Sequence, residues 1–236
     1  MSRSASEALA HPLRAAFHLA HVGYAASSAA TGRWRRRQLL TGIAVRAWWH
    51  RARVACQISP DVRLGRRLHV VVEPRSASTL AIAADCKIGD DVRIELRGGA
   101  LSLGEGVDIR ARCTIGASGA VDLVGHNVLQ HGVTIHCDEA VVLGRWTSMG
   151  EYASVVDSSH TYDGTGEWVI ANVRTAPVTI GENTWLGAKV TVARGVTIGD
   201  RAVIAANSVV VKDVPSEHFA SGVPAQVLRR ASTSSS

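Results

Sequence analysis

Ile180, Leu186, Val192, Ile198, Ile204 and Val210 follow one another at intervals of six, and Gly or Ala comes after each except Val210. The same interval recurs upstream in threes: Ile82, Ile88, Ile94; Leu103, Ile109, Ile115; Leu123, Leu129, Ile135; and Leu143, Met149, Val155. Between these triplets the step lengthens to eight or nine, where Gly98-Gly99-Ala100, Gly119-Ala120 or Glu139-Ala140 gives the chain room to bulge outward. A weaker triplet, Ile58, Leu64 and Val70, starts the array. A period of six does not match the helical turn. It matches a short strand and a corner, with one aliphatic side chain pointing inward and a small residue where the chain bends. Three hexads make one triangular coil, and each coil draws its core from its neighbours, as in any solenoid. The expected fold is therefore an all-β solenoid, a parallel β-helix of about seven coils. The scarcity of aromatic residues (5%) and the 22 Gly suit thin layers of small and β-branched side chains.

The beat is interrupted between Val155 and Ile180, where VDSSHTYDGTGEWVIANVRTAP keeps no six-residue spacing. A regular scaffold does not need such an excursion, so residues 156–177 are where function is expected. Trp168, Val169 and Ile170 within it call for a packing surface. Residues 58–230 form the repeat domain on this reading, and the Ser-rich residues 231–236 a disordered tail. Residues 1–57 form a helical arm, Ala- and Leu-rich over 5–30 and then Arg-rich after Gly32.

Charge divides the same way. Residues 1–57 hold nine Arg and one acid, Glu7, so the arm carries +8 of a net +6 and the remainder about −2. A near-neutral body gives no reason to expect nucleic acid binding. Cys56, Cys86, Cys113 and Cys137 lack metal-ligand or disulfide-framework spacing and read as small buried residues. No secretory signal and no uninterrupted apolar span is visible, so a cytoplasmic location is expected.

VTIGENTWLGAKVTVARGVTIGDRAVIAANSVVVKDVPSEHFASGVPAQVLRR, residues 178–230, closely resembles the C-terminal signature of the hexapeptide-repeat O-acetyltransferases, which include galactoside, maltose and surface-polysaccharide acetyltransferases. The resemblance implies a left-handed β-helix, although parallel crossovers are ordinarily right-handed. It further implies a homotrimer with active sites between subunits, acetyl-CoA or another acyl-CoA as co-substrate with no metal, and a sugar or glycan hydroxyl as acceptor. His160, the one histidine of the excursion, resembles the family's catalytic base, which takes the hydroxyl proton as the oxygen attacks the acyl carbonyl. Trp185 matches a tryptophan lining the donor and acceptor channel. Ala188 and Ala206 match positions along the pantetheine arm, and Lys212 and Arg229 match cations near the coenzyme's phosphates. Asp138, 22 residues before His160, matches an acceptor-binding aspartate. Gln130 stands where the family has an acceptor-contacting asparagine, and Gln226 where it has an arginine.

Two further features compete for attention. GHNVLQHGVTI sets His126 and His131 five apart and resembles the zinc-binding motif of γ-class carbonic anhydrases, but a third histidine is missing and only Cys113 stands near its place. A two-histidine surface cluster is expected there rather than a zinc site; a catalytically inactive binding protein is the other alternative. In the arm, residues 33–53 combine Trp34, Trp48 and Trp49 with seven Arg. This suits an amphipathic helix at the inner face of an anionic membrane. It equally suits a helix packed over the open end of the β-helix, hiding a strand edge. The cap is the preferred reading, and both hold if one face packs and the other meets lipid.

Overall fold

A computed structural model describes residues 29–161 and 172–230. Helix α1 spans Ala29–Trp49, and the chain then enters a triangular solenoid built from three parallel sheets. The first face holds Arg53–Ile58, Ala77–Ile82, Ala100–Leu103, Ala120–Leu123, Ala140–Leu143, Val178–Ile180 and Thr197–Ile198. The second face runs from Arg63–Leu64 to Val203–Ile204 and closes with a hairpin of His218–Gly222 and Ala225–Arg230; the third runs from His69–Val72 to Val209–Val210. The fold is a left-handed parallel β-helix of seven coils.

The six-residue beat becomes three interior columns. Leu103, Leu123, Leu143, Ile180 and Ile198 stack in register on the first face. Ile109, Leu129, Met149, Leu186 and Ile204 do so on the second, and Ile115, Ile135, Val155, Val192 and Val210 on the third. All of these are buried. Each fully buried side chain of this size contributes about 1.5–3 kcal/mol of transfer free energy, and no coil could shield its column alone.

The lengthened steps also have a structural basis. Leu103, Leu123 and Leu143 pair at twenty residues per coil, whereas Ile180 and Ile198 pair at eighteen. The two extra residues form a tongue at the corner between the third and first faces. Successive tongues bond to one another: Ala100 N–H donates to Gly119 O, and Ala120 N–H to Glu139 O. A Cβ on Gly119 would sit 2.2 Å from Glu139 O, so only glycine allows this approach.

α1 lies across the first coil. Ile43 and Ala47 are buried there, with Leu39 and Leu40 packed beside them. The Arg36 guanidinium donates twice to Ile58 O (3.0 and 2.7 Å), and Arg35 Nη1 donates to Leu64 O (2.7 Å). The helix ends short of the helical arm expected to reach residue 57. It runs through Gly32, and it stops at Trp49, with Arg51 in the left-handed region (φ 53°) and a strand already under way at Arg53. The expected helix at 5–28, the packing of Trp168, Val169 and Ile170, and the tail 231–236 lie outside the described residues.

Candidate active site

The excursion leaves the solenoid after Ser154–Val156, on the third face, and returns at Val178 on the first. Its described parts form an antiparallel ribbon in which Ser158–His160 pairs with Val173–Thr175, Ser158 opposite Thr175 and His160 opposite Val173. Thr161 N–H donates to Asn172 O (2.8 Å), extending the ribbon to the edge of the described segment. His160 is exposed near the outer end. Arg194 Nε, from a later coil, donates to Ser159 Oγ (2.7 Å) and pins the ribbon laterally.

The root of the ribbon is Asp157, whose side chain is fully buried. Its Oδ1 accepts from Asp138 N–H (2.8 Å) and its Oδ2 from Glu139 N–H (2.8 Å) and Ala140 N–H (2.9 Å). In the coils below, the next tongue supplies carbonyls to such amides. Here the next coil has no tongue, because the chain departs as the ribbon, and one carboxylate serves instead. An ionised carboxylate accepting backbone N–H groups forms strong, charge-assisted bonds. The sequence contained the aspartate, but nothing local shows which amides it meets.

Asp138 lies beside this root. Burial raises its carboxyl, yet hydrogen bonds with Ser158 and Ser118 and the neighbouring His136 outweigh that and hold it below the usual carboxylate range. His136 Nε2 stands 3.4 Å from Asp138 Oδ2. Ser158 and His160 alternate along one strand and so share a face of the ribbon. The structure therefore brings Asp138 to the base of the face that carries His160. Ser118, His136, Asp157 and Ser158 were not singled out from the sequence.

The other candidates gather elsewhere. Trp185 is half-buried on the second face, stacked between Ser148 and Val203. Ala188 and Ala206 occupy the next corner, between the second and third faces, one coil apart; Asn207 N–H donates to Ala188 O (2.9 Å). Their small side chains leave a ledge running along the solenoid axis. Lys212 is exposed just beyond Val209–Val210. Arg229 lies opposite Phe219 in the terminal hairpin, with its guanidinium 5.4 Å from the ring centre. Gln130 is at the ledge's corner, two coils before Ala188 and one face away from Asp138. Within one chain the ledge and the His160 ribbon thus stand at different corners of the triangle.

The paired histidines are a correction. His126 stacks on Trp146 at the corner between the first and second faces (ring centres 4.2 Å apart, 10° between planes). Burial, then Arg145, lowers its pKa. His131 lies at the following corner, beyond Val128–Leu129, so no two-histidine cluster forms. Cys113 is buried, donates its Sγ–H to Gln130 O (3.0 Å), and has its thiol pushed up to about 11 by burial. Among the described residues no three His, Cys, Asp or Glu side chains are grouped to hold a metal ion.

Residues 177–212 match the sequence model of the family described as bacterial transferase hexapeptide (six repeats). The chain carries the bacterial transferase hexapeptide repeat. Around that repeat it is similar to the galactoside O-acetyltransferase of Escherichia coli (strain K12), 53% identical over 53 residues, which is 22% of this chain and 26% of that one. A putative acetyltransferase of Saccharomyces cerevisiae is 50% identical over 54 residues, 23% of this chain and 28% of that one. The chain thus spans about a quarter of the length of the curated relatives it matches. The solved structure of the polySia specific acetyltransferase NeuO shares the fold, with a TM-score of 0.51 at 18% identity over 78% of this chain and 80% of that one. A hexapeptide-repeat acetyltransferase from Vibrio cholerae, solved with acetyl coenzyme A, aligns at a TM-score of 0.43 and 25% identity over 72% of this chain and 71% of that one.

Proposed function

We propose that this chain is an acyl-CoA-dependent O-acyltransferase that moves an acetyl group to a hydroxyl of a sugar or glycan. The observation that carries this reading is His160, presented on a ribbon rooted in the buried Asp157, within a solenoid carrying the transferase hexapeptide repeat. His160 takes the acceptor hydroxyl's proton while that oxygen attacks the thioester carbonyl; the C–S bond breaks, and coenzyme A leaves as a thiol after receiving a proton. No covalent enzyme intermediate is involved. Asp138 and Gln130 hold the acceptor. Trp185 lines the channel, Ala188 and Ala206 let pantetheine lie along the ledge, and Lys212 and Arg229 meet the coenzyme's phosphates. No metal takes part.

The separation of ledge and ribbon supports a homotrimer. On this reading the base that meets a donor on one chain's ledge comes from the ribbon of a neighbouring chain, and the sites lie between subunits. No helix among the described residues is long and apolar enough to cross a membrane. A cytoplasmic location, with residues 33–53 touching the inner face of a membrane, belongs to the same reading. Replacing His160→Ala tests the mechanism: turnover should fall by roughly 10²–10⁴ with acyl-CoA binding nearly unchanged. Turnover near that of the parent protein would overturn it.

A further inference from the structure

α1 has two faces with different tasks. Ile43, Ala47, Leu39 and Leu40 turn toward the first coil, while Trp34 (58% exposed), Val45 (57%), Trp48 (76%) and Trp49 (75%) turn away from it. At 100° per residue the four exposed residues fall within an arc of about 100° along the helix. Large apolar side chains gathered this way on a convex surface mark an interaction site. The helix carries Arg33, Arg35, Arg36, Arg37 and Arg46 and no acid.

Beneath one edge of this arc a groove of about 430 Å³ opens between α1 and the first coil. Trp34, Arg35, Gln38, Arg46, Arg66 and Arg67 line it. Arg35 is anchored to Leu64 O, and Arg67 is paired with Asp91 (2.5 Å). Asp90 Oδ1 accepts from the Arg66 backbone N–H (2.7 Å), and the Arg66 side chain is exposed at the groove. Arg46 folds back over Gly42, where a Cβ would come to 3.1 Å of its Nη1. Among the described residues no carboxylate lies within ion-pair distance of Arg46 or Arg66. The groove therefore offers two uncompensated guanidiniums at the foot of an exposed tryptophan, an arrangement suited to a bidentate phosphate.

We infer that this groove binds the headgroup phosphate of an anionic phospholipid while Trp34, Trp48 and Trp49 seat the outer face of α1 in the bilayer interface. The inference rests on the membrane contact included in the proposed function and supplies its binding site. Charge complementarity selects the occupant: seven Arg and no acid lie between residues 29 and 53, beside a body of about −2. Lipid fits better than nucleic acid because the apolar residues form a convex ridge with Val45 among them. A stacking platform for bases would instead line a basic channel.

The test is co-sedimentation of the full chain with vesicles of phosphatidylglycerol and phosphatidylcholine, compared with phosphatidylcholine alone. The protein should bind the anionic vesicles, less so as salt rises. The double variant Arg46→Gln/Arg66→Gln should bind about 30-fold more weakly, about fivefold for each cation near the surface. Trp48→Ser/Trp49→Ser should also weaken binding, and thermal melts of both variants should match the parent. His160→Ala should sediment as the parent does, so a failed catalytic mechanism and a failed lipid site give different results. Unchanged vesicle binding in the double arginine variant would overturn the inference. So would stabilisation by inorganic phosphate at matched ionic strength without vesicle binding, or preference for a single-stranded oligonucleotide over vesicles.

Discussion

Replacing Asp157→Asn isolates the carboxylate that ends the stack of tongues. The substitution preserves shape, but one oxygen becomes an NH₂ donor. Its best orientation keeps the remaining oxygen on Glu139 and Ala140 N–H and turns the new amide toward Asp138 N–H, donor against donor. The two surviving bonds lose their charge assistance, about 1 kcal/mol each, and the third is replaced by an unsatisfied amide at about 1–3 kcal/mol. The sum is about 4 kcal/mol, which for a chain of this size lowers the melting temperature by about 8–16 °C. Urea titration followed by circular dichroism measures the first quantity, and a thermal scan the second. Hydrogen exchange should quicken at the amides of Asp138, Glu139 and Ala140 in particular. Asp122→Asn, a half-buried aspartate on the first face, serves as the control and should stay within about 0.5 kcal/mol. Loss of less than about 1 kcal/mol in Asp157→Asn would mean that the carboxylate does not replace the missing tongue.

Lys212→Ala should raise KM for acyl-CoA with kcat changed less, since a phosphate contact stabilises ground and transition states alike; a fixed KM with a collapsed kcat would remove Lys212 from the coenzyme site. Burial pushes the thiols of Cys86 and Cys113 up to about 11 and that of Cys137 to about 12, so a disulfide reagent at pH 8 should spare all three until the chain unfolds. Fast labelling of any of them in the folded protein would contradict their placement. Asp138, ionised more readily folded than unfolded, stabilises the fold above its unfolded pKa and ceases to as pH falls through the folded value. Asp138→Asn should therefore flatten the acid limb of stability below about pH 4, and an unaltered limb would refute this. Light scattering should find three copies per particle, and an active, stable monomer would dismiss the intersubunit site.

The solenoid was legible because its determinant is written locally. One column of inward side chains per face, from Ile82 to Val210, announces itself at intervals of six within each coil, and Gly98-Gly99 and Gly119 mark tongues where the interval stretches. The place of His160 was legible for the converse reason, since the interval fails there. The side-chain partners along the coils were not legible. Asp157 meets amides 17 to 19 residues earlier, His126 stacks on a tryptophan 20 residues later, and Ser118 and Ser158 reach Asp138 from opposite sides along the axis. Such neighbours are set by coil length, which no local pattern states. The junction after α1 escaped for a related reason: Arg53–Ile58 is a strand because Ala77–Ile82 pairs with it from a coil away, while its own Arg-rich approach continues the helical composition.

Stacked coils also measure distance. The ribbon leaves the fifth coil, so four steps of about 4.8 Å, or about 19 Å, separate it from the first, and α1 adds about 10 Å more. With α1 resting on a lipid surface, His160 stands on the order of 30 Å above it, measured along the stacked coils. The number of coils below the ribbon is then a ruler. A hydroxyl on the headgroup itself would be out of reach, whereas an extended chain rooted in the bilayer would pass the site part-way along its length. Duplicating residues 104–123 adds a full twenty-residue coil in register and would move the point of modification outward by about 4.8 Å, leaving both the grip on the surface and the chemistry as they were.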